Sequence, residues 1–83
     1  MIFQSIIYVK YKSGIHDPES INILSALNKL GFESVKGLSK GKFFELTVVA
    51  ENKKIAENQI SQICNQLLAN PVIEQFNFEI LDN

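Results

Sequence analysis

With 83 residues, 46% of them hydrophobic and 20% charged, the chain has room for one ordinary globular domain and is neither a multidomain enzyme nor a disordered polymer. The formal net charge is -1 and all eight basic residues are lysines, which disfavours strong nucleic-acid binding and any arginine-based phosphate or carboxylate grip. One cysteine permits neither an intramolecular disulfide nor a Cys-rich metal cage, no segment approaches the roughly 20 apolar residues of a membrane span, and a reducing cytoplasm is the expected compartment.

From Ile2 to Lys12, Phe3, Ile7, Val9 and Tyr11 alternate with Ile2, Ile6 and Tyr8, so both faces of a β-rich run are largely apolar and a central strand is expected. Asp17-Pro18 opens a helix, with Asp as N-cap, Pro at the first position and Glu19 in the first turn. Ile23, Leu27 and Leu30 keep helical spacing, and Gly31 supplies the left-handed stop. Phe32 to Leu38 reads as a short strand interrupted by Gly37, joined through Ser39-Lys40-Gly41-Lys42 as a hairpin to a strong strand over Phe43 to Ala50. Asn52 caps a second helix carrying Ala56, Ile60, Ile63 and Leu67 in register, with Cys64 and Leu68 alongside, until Asn70-Pro71 ends it. In the closing segment Phe76, Phe78 and Ile80 alternate with Gln75, Asn77 and Glu79, the pattern of an edge strand with one wet face.

The order is therefore β-α-β-β-α-β in a single domain over residues 1–83. This α+β order suits a ferredoxin-like two-layer sandwich, two helices on one face of a four-stranded antiparallel sheet whose first and third strands are central. If Ile7, Val9, Phe44 and Leu46 face the helices, then Ile6, Tyr8, Phe43, Thr47 and Val49 stand on the uncovered face, a self-association surface. A domain this small buries only about 60% of its unfolded surface, so a partner is expected on energetic grounds as well.

Side chains fit for catalysis are scarce. His16 reads as a loop residue before a helix cap, and Cys64, on an apolar helix face, as a small hydrophobe rather than a nucleophile. Lys40-Gly41-Lys42-Phe43-Phe44 partly matches the third-strand motif of RNA-recognition domains, but the missing arginine and the following Glu45 argue against RNA. Ser13-Gly14 and Gly41-Lys42 match neither nucleotide-binding glycine fingerprint. Sandwich enzymes that hydrolyse acyl phosphates need an arginine that this chain lacks.

Several segments together carry a family resemblance: Tyr8-Val9 with Lys12, Asp17-Pro18-Glu19, Ala26-Leu27-Asn28-Lys29-Leu30-Gly31-Phe32, Gly41-Lys42-Phe43-Phe44-Glu45-Leu46, and the run from Cys64-Asn65-Gln66-Leu67-Leu68 to Ala69-Asn70-Pro71-Val72-Ile73-Glu74. In order and without large gaps, they resemble the PurS family, the small subunit of phosphoribosylformylglycinamidine synthase. Two departures are Ser20, where relatives often carry glycine, and lysine in place of arginine before Gly41-Lys42.

The resemblance implies a noncatalytic subunit in de novo purine biosynthesis. It would form a homodimer or higher homo-oligomer that bridges a glutaminase subunit and a large synthetase subunit and supports ammonia transfer between them. ATP and magnesium would belong to the synthetase partner, with no cofactor on this chain and neither nucleic acid nor membrane as a partner. Gly37, Lys40, Lys42, Asn70 and Pro71, in the expected hairpin and corner, are the candidate contacts with the larger subunits. The alternative is a small-molecule-sensing regulatory domain of the amino-acid-binding type, which shares this element order.

Overall fold

A computed structural model of the chain describes residues 1–81. Three strands, β1 (Ile2–Tyr11), β2 (Gly41–Val49) and β3 (Glu74–Leu81), form one antiparallel sheet in the order β2-β1-β3. Helix α1 (Pro18–Lys29) links β1 to β2, and helix α2 (Lys53–Ile63), extended by a π-helical turn over Cys64–Leu68, links β2 to β3. The α+β class and the antiparallel, ferredoxin-like arrangement hold.

Two expectations about the detail need correction. No strand forms over residues 32–38, so β2 lies at an edge of the described sheet and the hairpin at Gly37 to Lys42 is absent. The chain leaves α1 through Gly31 at φ +100, with the Phe32 amide donating to the Leu27 carbonyl and the Gly31 amide to that of Asn28. That wrap, followed by a turn in which the Val35 amide donates to the Phe32 carbonyl, redirects the backbone before a ladder can start. Beyond it Gly37 and two serines leave too few β-forming side chains to pair with β2.

The second correction concerns α1, which does not share the helical layer. The core gathers Ile7 and Val9 from β1, Ile60 and Cys64 from α2 and its π turn, and Ala69, with Phe44, Leu46, Val48, Phe76, Phe78 and Ile80 packed partly against them. Of α1 only Ser20 is buried, while Ile21, Ile23 and Leu30 are exposed. The Cα radius of gyration is 16.6 Å, where a compact domain of this length has about 12 Å. The 52 Å long axis matches β1, about 33 Å, and α1, about 18 Å, laid nearly end to end. α1 and the returning residues 32–40 thus form an arm that leaves from the end of β1 and comes back where Gly41 pairs with Lys10.

Both helix starts are as the sequence predicts. Asp17 accepts from the Glu19 amide at 3.1 Å, and Asn52 accepts from the Ile55 amide at 2.9 Å. The π turn alters one packing assignment. The Ala69 amide donates to the Cys64 carbonyl, five residues back, and the wider turn leaves Leu67 80% exposed while Leu68 packs on the core.

Candidate functional site

Strand register determines which side chains share the uncovered face of the sheet. Residues directly opposite in an antiparallel pair lie on the same side, so Tyr8 stands between Phe43 and Asn77, Ile6 between Glu45 and Glu79, and Gln4 between Thr47 and Leu81, with Ile2 beside Val49. All five predicted self-association residues, Ile6, Tyr8, Phe43, Thr47 and Val49, fall on this face. Tyr8 and Phe43 form a tilted ring pair with centroids 5.6 Å apart, and the Thr47 hydroxyl donates to Gln4 Oε1 at 3.0 Å. Phe43 is 54% and Val49 72% exposed, so the face presents open apolar surface at both ends.

Two carboxylates interrupt it. Glu45 and Glu79 flank Ile6 across the waist of the face, and Lys10 stands between Gly41 and Gln75 at one end. Alternation within each strand identifies these positions as outward, but only the inter-strand register puts the two acids on either side of one isoleucine. The opposite face stays dry under α2, where the Ser5 hydroxyl is satisfied by donating to the Glu79 carbonyl at 3.0 Å.

The predicted partner contacts gather at the root of the arm. Lys40 pairs with Glu19 at 3.1 Å, tying the returning segment to the first turn of α1. Lys42 pairs with Glu74 at 3.7 Å, and Glu74 Oε1 accepts from the Asn70 amide at 2.7 Å. Lys12 Nζ donates to the Pro71 carbonyl at 2.8 Å, so Lys42, Asn70 and Pro71 belong to one cluster with Lys12 and Glu74. Gly37 lies apart from that cluster, in the arm. A groove beside the root is lined by Lys10, Tyr11, Lys12, His16 and Lys40. Lys12 and Glu74 are the members that sequence reasoning missed, since their partners lie far along the chain.

Charge states follow from these contacts. The Ser20 hydroxyl, donating to Asp17 Oδ2 at 2.7 Å, holds the Asp17 carboxyl below its ordinary value. A hydrogen bond to Glu19 pushes the Lys40 ammonium up, and burial pushes up the Cys64 thiol, which packs in the core as its sequence position suggests. His16 is exposed, and among the described residues no three His, Cys, Asp or Glu side chains lie close enough to hold a metal. The arrangement offers surfaces for contact and little for bond making.

Comparison with known proteins bears on what those surfaces meet. Residues 4–82 match the PurS family, described as phosphoribosylformylglycinamidine (FGAM) synthase. The phosphoribosylformylglycinamidine synthase subunit PurS of Archaeoglobus fulgidus is 41% identical over 71 residues, which are 86% of this chain and 89% of that one. A chain in the structure of PurLQS from Thermotoga maritima is 36% identical, with a TM-score of 0.90 over 98% of this chain and 99% of that chain. The PurS crystal structure from Methanocaldococcus jannaschii, one of the subunits of formylglycinamide ribonucleotide amidotransferase, gives a TM-score of 0.86 at 31% identity, covering 98% of each chain. Likeness over so much of the chain takes in α1 and the returning segment, so the outstretched arm is a shared feature.

Proposed function

The chain belongs to the PurS family and is a subunit of phosphoribosylformylglycinamidine synthase in purine biosynthesis, and on that premise we propose that it bridges the glutaminase and ATP-dependent synthetase subunits without catalysing. The observation that carries this reading is the near-complete likeness to a chain of the PurLQS structure, together with a side-chain inventory suited to contact. Ammonia that escapes into water is protonated and lost as a nucleophile, so an assembly that excludes water between the two active sites protects it. The subunit's contribution is positioning. ATP and magnesium belong to the synthetase, no cofactor is assigned to this chain, and the compartment is the cytoplasm.

The test compares glutamine-dependent with ammonia-dependent synthesis by the two larger subunits, with and without this chain. Glutamine-dependent turnover should fall when the chain is omitted. Equal turnover in its absence removes the bridging role.

Self-association is assigned to the open face around Ile6, Tyr8, Phe43, Thr47 and Val49, and contact with the larger subunits to the arm and its root, at Gly37, Lys40, Lys42, Asn70 and Pro71. Phe43→Glu combined with Val49→Glu should lower the sedimenting mass, because two charges would then sit in apolar contact area. An unchanged mass excludes that face.

A further inference from the structure

The single chain exposes 6126 Å², whereas a compact monomer of 83 residues exposes about 5,000 Å². The excess, about 1,100 Å² per chain, is of the size that each partner of an obligate dimer buries, since such interfaces total roughly 2,000 Å² or more. It is concentrated in two complementary places. One is the arm, where Ile21, Ile23, Leu30 and Phe32 are exposed on an amphipathic helix and its exit. The other is the helix-bearing face of the sheet, where α2 seals Ile7 and Val9 on the central strand but leaves Phe44, Leu46 and Val48 of β2 only partly covered. Each chain thus carries a helix without a sheet to lie on and a strip of sheet without a helix above it.

We propose that the occupant of the β2 strip is α1 of a second copy of this chain, the two copies exchanging arms so that each completes the other's helical layer beside α2. The exchange is isologous, every surface being used twice, which is the symmetry of a closed dimer. An arm of mixed charge, with Glu19 already paired to Lys40, meets no charge repulsion over this strip, whose side chains are all apolar. The contact lies on the side of the sheet opposite to Tyr8 and Phe43, so it is independent of the open-face association and leaves that face free.

The experiment is built to separate the two surfaces. In the Phe43→Glu, Val49→Glu background, sedimentation should give a mass of two chains. Adding Ile23→Glu and Leu30→Glu, both exposed in the single chain, should bring it to one. A one-chain mass with α1 unaltered, or a two-chain mass that survives the α1 charges, overturns the exchange. A failure confined to the open face shows instead as an unchanged mass in the first variant. Because charged variants can misfold, the unaltered chain supplies a second reading. In a mixture of isotopically labelled and unlabelled chains, nuclear Overhauser contacts should cross from Ile23 and Leu27 methyls to Phe44 and Leu46 of the other copy. Their absence equally overturns it.

Discussion

The two helices begin alike and end up in different physical situations. Each starts on a side-chain cap, Asp17 for α1 and Asn52 for α2, and each carries apolar residues at helical spacing. Yet α2 buries Ala56 and Ile60 against the sheet, and α1 buries only Ser20. Periodicity states that a face must be covered and is silent about what covers it. Because most helical stability in proteins comes from tertiary packing, the sheet with α2 holds itself together, while the arm belongs to the part of the molecule that opens most easily.

The largest effect expected from this contrast is at Ile60, which is fully buried. Ile60→Ala should cost about 2–5 kcal/mol in denaturant unfolding, whereas Leu30→Ala, at a side chain 73% exposed, should stay within about 0.5 kcal/mol in the dilute, unpaired chain. Equal costs would break the distinction between the two regions. Next comes Gly41, where a Cβ would collide with the Val9 carbonyl. Because that neighbour is backbone, Gly41→Ala should destabilise the β1–β2 pairing by about 1–3 kcal/mol, seen as a lower unfolding midpoint. Asn52→Ala should cost about 1 kcal/mol, and amide exchange should accelerate in the first turn of α2 while α1 is unaffected.

The smallest effect sharpens the comparison through acid. The Asp17 carboxyl is held below its ordinary value of 3.8, chiefly by the Ser20 hydroxyl, so its ionised form is favoured in the folded arm. The stabilisation it provides is complete above that ordinary value and is lost as pH falls through the lowered one. Amide spectra recorded between about pH 5 and pH 2 should show the first turn of α1 loosening, while α2, capped by an asparagine that does not titrate, keeps its start. Simultaneous loosening of both starts would mean that acid acts on the whole fold rather than on the cap.

Much of the fold was legible because the signals are local. Alternation located β1, β2 and β3 to within two residues, the Asp and Asn caps located both helix starts, and Gly31 located the exit of α1. The same alternation was enough to put Ile6, Tyr8, Phe43, Thr47 and Val49 on one side of the sheet. What escaped depends on distance along the chain. Val35 and its neighbours have some β character, but a strand exists only if another backbone pairs with it, and the wrap after Gly31 directs this one elsewhere. Leu67 was placed on the core because α-helical periodicity was extrapolated through a turn with five-residue hydrogen bonding. The acidic waist of Glu45 and Glu79 needed the register of three strands. The bonds of Lys12 and Lys42 at the root each span more than thirty positions.

Those root contacts give the arm a mechanical character. Lys12, where the chain departs, is fastened to Pro71, and Lys42, just after it returns, to Glu74, which also holds the Asn70 amide. Departure and return are thus bolted to one corner, like a lever pinned at its fulcrum. A load on the tip of α1 is delivered as torque at residues 70–74, the place where β3 begins, and moves little at the far end of the sheet.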